Sequence, residues 1–166
     1  MRVGIGYDVH RLGEGEDLIL GGVHIPYDKG LIGHSDADVL THAIMDAILG
    51  ALGRKDIGYH FPDTEEKYKG ISSLKLLERV QELMARDGYQ LGNLDSIIIA
   101  QAPRLAPFID QMIQNVTRVL KVEPGQVNIK ATTTEKLGFV GRGEGIAAQV
   151  IVLIKKREEE SEEVGR

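Results

Sequence analysis

The 166-residue sequence predicts a single α/β domain of the α+β kind, in which one mixed β-sheet carries helices over one of its faces. Two observations carry that expectation. Apolar, β-branched runs alternate with segments of 3.6-residue periodicity, and the length suits one core, since domains run to about 100–200 residues. A third observation is negative: neither an internal repeat nor a low-complexity segment interrupts the alternation.

Arg2 to His10 reads as the first strand, and Ile19-Leu20 with Val23 to Ile25 as a hairpin turned by Gly21-Gly22. Pro26 to Ser35 reads as a loop. Ala37 to Leu52 carries Leu40, Ile44, Ile48 and Leu52 at helical spacing, with Ser35 as N-cap, Asp38 three residues on and Gly53 as the stop. Residues 54–70, with Gly58, Pro62 and Gly70, show little periodicity. A connection of that length inside a compact domain is commonly functional, and it reads as a lid. Ser72 to Asp87, ended by Gly88, is a second amphipathic helix with Leu76, Val80 and Leu83 as its stripe. Leu94 to Ala100 is the densest β-branched run and reads as a buried strand. Pro103 to Pro107 leads into a third helix, about Phe108 to Leu120. Val127 to Thr134 and Ala147 to Ile154 close the chain as strands. Helices on one side leave the other sheet face for a partner. The domain is expected over residues 1–156, with 157–166 a flexible tail. The charge-rich run from Lys155 to Arg166 has too little apolar surface to offset the entropy of ordering it, and is left out of the fold.

A chain that is 42% hydrophobic and 27% charged is ordinary for a globular protein. Its net charge of -5 argues against a nucleic-acid partner, because binding the phosphate backbone needs a positive field. The absence of cysteine removes disulfides and thiolate metal sites, suits a reducing cytosol, and leaves only nitrogen and oxygen ligands for any metal. The start at Met1 to Gly4 has no basic leader running into an apolar stretch. Nor does any apolar run reach the roughly 20 residues of a spanning helix, so a cytoplasmic protein without a membrane partner is expected.

Asp8 and His10 stand two apart on a predicted strand and so leave the same face of the sheet. His42, on the first helix, can pack over that face and add a third ligand. Two histidines and a carboxylate with one open position make up the usual catalytic zinc site. The same residues also fit a surface pair at a strand end and a hydrogen-bonded core histidine. Asp38 and Asp46, one turn either side of His42, read as solvated carboxylates or as partners that orient it.

His34-Ser35 stands at the predicted start of that helix, where unpaired amides favour an anion; taken alone, the pair reads better as a simple cap at Ser35 with His34 a loop residue. Ala131-Thr132-Thr133-Thr134-Glu135-Lys136 ends a strand, where hydroxyls, amides and a carboxylate can surround phosphate and a hard cation, with Glu135 as the magnesium-type ligand; a Thr-rich strand running into a charged turn fits equally. Gly138 to Gly145, holding Phe139, Arg142 and Glu144, is too glycine-dense for a core element and suits an anion site or a subunit contact.

Taken together, Gly6-x-Asp8-Val9-His10, His34-Ser35-Asp36-x-Asp38, Asp56-Ile57-Gly58, Phe61-Pro62-Asp63-Thr64, Ala100-Gln101-Ala102-Pro103 and Ala131 to Gly145 resemble the 2-C-methyl-D-erythritol 2,4-cyclodiphosphate synthase family. The motifs stand in the family's order across nearly the whole chain. The resemblance implies an enzyme that turns 4-diphosphocytidyl-2-C-methyl-D-erythritol 2-phosphate into the cyclic diphosphate and CMP, within non-mevalonate isoprenoid biosynthesis. It implies zinc on Asp8, His10 and His42, and magnesium or manganese on Glu135. It also implies that His34 and Thr133 hold the reacting phosphates and stabilise the transition state, with Ser35 and Thr134 beside them.

The segments Asp56, Ile57, Gly58 and Phe61, Pro62, Asp63, Thr64, Glu65 match the loop around the methylerythritol portion, with Asp63 as a hydroxyl partner. Ala100, Gln101, Ala102, Pro103, Arg104, Leu105 and Ala106, with Thr132 and Thr133, match the cytidine diphosphate pocket. The resemblance further implies a homotrimer with sheets facing a central axis and sites shared between chains. Phe139, Arg142 and Glu144 then line a channel able to hold an isoprenoid diphosphate. Two residues depart from the family pattern: Arg104 replaces a lysine and Glu65 an aspartate, and the first exchanges a point charge for a planar fork. A zinc phosphohydrolase and a non-catalytic isoprenoid-diphosphate sensor are the competing readings.

Overall fold

The structure, a computed structural model, describes residues 1–158. In chain order its elements are β1 (Arg2–Glu14), β2 (Ile19–Leu20), β3 (Val23–His24), β4 (Lys29–Leu31), α1 (Val39–Leu52), α2 (Ile57–His60), α3 (Ser73–Arg86), β5 (Tyr89–Ile99), α4 (Ile109–Leu120), β6 (Val127–Thr132), α5 (Gly138–Gly141) and β7 (Gly145–Lys156). Five strands form a mixed sheet in the order β4-β1-β7-β5-β6, with only β5 and β6 parallel. Helices α1, α3 and α4 cover one face and bury the core between themselves and the sheet. The α+β single domain expected from the sequence is what forms.

Strand β1 has an inverted pattern that decides where the site falls. Val3, Ile5, Tyr7 and Val9 point to the uncovered face and are exposed, while Gly4, Gly6, Asp8 and His10 point under α1. A Cβ on Gly4 would collide with the carbonyl oxygen of Ala47, and one on Gly6 with that of Ala43. Two missing side chains on the strand and the Ala43-Ala47-Ala51 stripe on the helix therefore let α1 lie almost directly on β1. That close approach carries His42 down to Asp8 and His10.

The helices end where local chemistry stops them. Gly53 closes α1 in the left-handed region (φ 69°) with its N–H on the carbonyls of Gly50 and Leu49. On α4, Met112, Val116 and Leu120 form the buried stripe, and the Asn115 amide donates to the Gly21 carbonyl at 3.0 Å. The Gly21-Gly22 turn, with φ of 55° and 71°, joins the expected hairpin.

Several boundaries differ from expectation. Helix α1 starts at Val39, and its cap is Asp38, not Ser35. Ala37 takes φ 56°, which ends any helix before it. Asp38 is fully buried and neither solvated nor turned to His42: it accepts from the N–H groups of Gly21, Gly22 and Thr41 and from the Thr41 hydroxyl. One carboxylate thus ties the hairpin turn to the helix start, a service no local pattern announces. The expected loop from Pro26 to Ser35 contains β4, paired to the far end of β1, so β1 runs on to Glu14.

The lid segment is not unstructured, since it holds α2 and a 3-10 turn at Glu66–Tyr68. Strand β6 stops at Thr132, two residues short of the expected end, and Gly138–Gly141 is a short helix that buries Val140. Lys155 and Lys156 belong to β7, paired with Gln90 and Tyr89, and the Arg157 N–H still bonds the Gly88 carbonyl. The run from Lys155 is therefore not excluded from the fold at its start; the rest of the tail, 159–166, lies outside the described residues. Among the described residues, no helix is long and apolar enough to cross a membrane.

Candidate metal centre and substrate cleft

A cleft of about 310 Å³ opens between β1, α1 and the 57–68 segment. Asp8, His10 and His42 meet in it: Asp8 Oδ2 lies 3.0 Å from His10 Nε2 and 3.1 Å from His42 Nδ1, and the two ring nitrogens are 3.1 Å apart. The trio forms a compact triangle able to hold one metal ion. A tetrahedral ion with the usual zinc–nitrogen bonds spaces its ligands about 3.3 Å apart, so the triangle fits such an ion with little adjustment.

The electrostatics agree. Burial pushes the Asp8 carboxyl up, but hydrogen bonds and charge from His10 and His42 outweigh it and hold the group at about 2. For His10, burial lowers the pKa, while Asp8 and the Ile32 carbonyl raise it further, leaving the ring above its ordinary value. His10 donates from Nδ1 to the Ile32 carbonyl at 2.8 Å, because a carbonyl can only accept. In the neutral ring its Nε2 lone pair therefore faces the triangle.

His34, Ser35, Ile57, Gly58, Phe61, Pro62 and Asp63 line the same cleft, as expected, together with Met45, Tyr68 and Leu76, which only the fold could bring there. His34 donates from Nε2 to the Glu65 carbonyl at 3.0 Å, and its own carbonyl accepts from Gly70 N at 2.8 Å, so it anchors both ends of the lid's second half. Because α1 begins at Val39, His34-Ser35 is not at a helix N-terminus, and Asp38 already serves the Thr41 amide. The anion-at-a-helix-start argument for Ser35 is therefore lost.

Ser35 Oγ instead sits 3.0 Å from His42 Nε2. Asp56 caps α2 by accepting from Tyr59 N, and Asp46, raised by burial, accepts from Ile57 N at 2.9 Å. Both carboxylates position the lid, and Asp46 does not orient His42. Val9 points to the opposite face from Asp8 and His10, so only its backbone is available to the cleft. Glu65 turns its side chain to Lys67.

The second group of expected residues lies elsewhere. Ala100 to Ala106 line a separate cleft of about 350 Å³ with Ala131, Thr132 and Thr133. Thr133 Oγ1 accepts from Glu135 N at 3.2 Å, and Thr134 Oγ1 donates to the Leu137 carbonyl at 2.6 Å. Glu135 and Lys136 both have positive φ, 53° and 63°, and the Gln101 side chain holds this turn by accepting from Lys136 N at 3.0 Å. Gln101 is thus a brace between the two segments. Strand β6, which leads into the Glu135 turn, is three sheet positions from β1, and Glu135 is neither among the residues lining the first cleft nor in the Asp8-His10-His42 cluster.

Phe139, Arg142 and Glu144 sit where β7 begins, and Arg142 donates to both Glu144 oxygens at 3.3 and 3.2 Å. That pairing holds the exposed Glu144 carboxyl below its ordinary value. Sequence reasoning missed Gly4 as a packing residue, Asp38 as a buried clasp, and Ser73, which lies 2.9 Å from His42 Nε2. The glycines alternating with Asp8 and His10, set against Ala43, Ala47 and Ala51, were a readable signal for the first.

A helix-covered mixed sheet with two imidazoles and a carboxylate gathered at the mouth of a cleft defines a metal-binding α+β domain. The YgbB family model matches residues 1–155, and the chain belongs to that family. It is 63% identical to 2-C-methyl-D-erythritol 2,4-cyclodiphosphate synthase of Halothermothrix orenii over 93% of each chain. Among solved structures it is similar to the bifunctional IspDF of Campylobacter jejuni, with 44% identity and a TM-score of 0.91. The match covers 95% of this chain but only 42% of that one. It is also similar to the CDP complex of Plasmodium falciparum IspF, with 35% identity and a TM-score of 0.83, over 95% and 97% of the two chains.

Proposed function

We propose that this protein cyclises 4-diphosphocytidyl-2-C-methyl-D-erythritol 2-phosphate to 2-C-methyl-D-erythritol 2,4-cyclodiphosphate with release of CMP, a phosphorus–oxygen lyase step of non-mevalonate isoprenoid biosynthesis. The single observation that carries this reading is the Asp8-His10-His42 triangle at the mouth of a cleft, in a chain that belongs to the YgbB family. An oxygen of the 2-phosphate forms a bond to the β-phosphorus. The bond from that phosphorus to the oxygen bridging the α- and β-phosphates breaks, and CMP leaves with that oxygen. Both partners belong to one molecule, so orientation supplies much of the rate: aligned intramolecular reactions reach effective molarities of about 10⁵–10⁸ M.

Asp8, His10 and His42 are the residues that would hold zinc, and Glu135 a magnesium or manganese ion; such ions supply charge neutralisation to phosphate oxygens. His34 and Thr133 hold the reacting phosphates and Ser35 adds a hydroxyl. The lid around Ile57, Gly58 and Asp63 encloses the methylerythritol portion and excludes water. Ala100 to Ala106, which line a separate cleft, take the cytidine; a cytidine-diphosphate-linked substrate is supported by the Plasmodium falciparum relative, whose structure is a CDP complex.

The protein acts as a homotrimer with sites shared between neighbouring chains. Two facts support this: Glu135 does not line the cleft that holds the metal triangle, and the uncovered sheet face exposes Val3, Ile5, Tyr7, Val9 and Ile151. Phe139, Arg142 and Glu144 then line the central channel, where Arg142 suits an isoprenoid diphosphate. A cytosolic location belongs to the same reading and is supported by the absence of cysteine.

Identifying the product made from the cytidyl substrate tests the reaction: a cyclic diphosphate is expected, and linear phosphates overturn cyclisation. Mixing a His42→Ala chain with a Thr133→Ala chain tests the sharing of sites. Partial recovery of activity is expected, and none in verified mixed trimers overturns it.

A further inference from the structure

The Nε2 atom of His42 faces two hydroxyls, Ser73 Oγ at 2.9 Å and Ser35 Oγ at 3.0 Å. A hydroxyl can donate or accept, so the pair alone does not say which ring nitrogen of His42 carries the hydrogen. The next residue outward decides it. Ser73 donates its only hydroxyl hydrogen to Asp36 Oδ1, and Asp36 Oδ2 accepts from the Ser73 backbone N–H at 3.0 Å. The same carboxylate accepts from Asp38 N at 3.2 Å, and the Asp36 N–H bonds the Ile71 carbonyl at 3.0 Å. Asp36 is therefore held on both sides, and Ser73 is fully buried at the first turn of α3.

With its hydrogen committed to a carboxylate, Ser73 Oγ can offer His42 only a lone pair. His42 must then donate from Nε2, and in the neutral ring Nδ1 turns a lone pair toward Asp8 and His10. We infer that Asp36 and Ser73 form a positioning relay that sets the tautomer and ring orientation of His42 for metal binding. Neither residue belongs to the metal triangle or touches the reacting atoms. The relay also leaves the Ser35 hydrogen unclaimed by His42, free for a ligand oxygen in the cleft.

Two features of the fold make the relay specific. His42 arrives on α1 and Ser73 on α3, so the hydrogen bond measures the packing of one helix against the other. Together with the His10 Nδ1 bond to the Ile32 carbonyl, the relay leaves one nitrogen of each ring and one carboxylate oxygen aimed at a common point, so that with both rings neutral two lone pairs and a carboxylate meet there. Such an arrangement is relieved by a cation at that point. Outer partners of this type are worth about 10–100-fold in metal affinity.

The inference rests on the metal reading of the triangle, and the test separates the two. Zinc affinity is measured by competition with a chromophoric chelator for the unsubstituted protein, Ser73→Ala, Asp36→Asn and the double variant, with Ser72→Ala as a control on the same helix. Ser72 makes no side-chain cap bond, and its variant is expected to bind zinc as the parent does. Ser73→Ala is expected to weaken zinc binding by about 10–100-fold. Asp36→Asn, which frees the Ser73 hydrogen to turn toward His42, shifts affinity the same way and adds little on top of Ser73→Ala, because residues of one chain of hydrogen bonds are not additive. Nitrogen-15 NMR of the zinc-free parent, followed to a pH at which the ring is neutral, is expected to show the His42 hydrogen on Nε2.

Failure of the unsubstituted protein to bind zinc overturns the metal reading and the relay with it. Zinc binding that Ser73→Ala leaves within twofold, or additive losses in the double variant, overturns the relay alone. Should Ser73→Ala not fold, the NMR decides, and a neutral His42 ring with its hydrogen on Nδ1 and none on Nε2 overturns the relay.

Discussion

The metal triangle and the Thr132–Glu135 turn are built to opposite standards. Around Asp8, His10 and His42 each ring has a committed partner, the glycines of β1 let a helix press on the strand, and Asp38 clasps the helix start from inside. Around Thr133 and Glu135 the side chains are exposed or half-exposed, the backbone adopts strained left-handed angles, and a single glutamine braces the loop. One half of the site is pre-formed within a chain. The other half is exposed, as the proposed contribution to a neighbour's site requires. On that proposal, rigidity falls where an ion would be gripped and openness where a second chain would close.

That contrast can be broken in four ways. The largest effect is expected for His42→Ala, which should lower CMP release on the order of 10³-fold, since a bound ion supplies several kcal/mol of transition-state stabilisation. Retained turnover in a steady-state assay would dissolve the distinction at its centre. Next, Glu135→Gln or Thr133→Ala should cut kcat by about 10²-fold while leaving the urea unfolding free energy within about 0.5 kcal/mol, as for exposed positions generally. A large loss of stability in the isolated chain would mean that the second half is as integrated as the first.

Gly6→Ala tests the packing beneath the triangle. The added methyl must push α1 away from β1, which should cost about 1–3 kcal/mol by denaturant titration and weaken zinc binding in the same variant. Stability lost without metal affinity lost would separate the close approach from the site. The smallest effect concerns pH. In the metal-free protein the pKa of His10 is raised above 6.5, so its protonated form is favoured and zinc must displace that proton. Zinc affinity should therefore rise about tenfold per pH unit up to the raised pKa and then level off. A flat profile between pH 5 and 7, by chelator competition at about these values, would remove His10 from the ligand set.

Much of this was legible before any coordinates. A strand's period of two puts Asp8 and His10 on one face, and the apolar spacing of residues 40–52 makes a helix that can deliver His42. Gly53 and Gly88 end their helices for a reason internal to a few residues, and Gly21-Gly22 turns its hairpin likewise. These features need only near neighbours. Asp38 was misread as a solvated or histidine-directed carboxylate because its other partners, Gly21 and Gly22, are 16–17 residues away. Strand β4 was hidden because its three residues gain strand character only by pairing with the end of β1.

The tertiary structure alone decided that His42 turns Nδ1 to Asp8 and His10 and Nε2 to Ser73, since Ser73 and Asp36 come to it from a different helix and a loop. It alone set the two clefts apart across the sheet. Side-chain direction is fixed by backbone periodicity and can be read along the chain. Burial, hydrogen-bond commitment and distance between segments are properties of pairs far apart in sequence, and only packing assigns them.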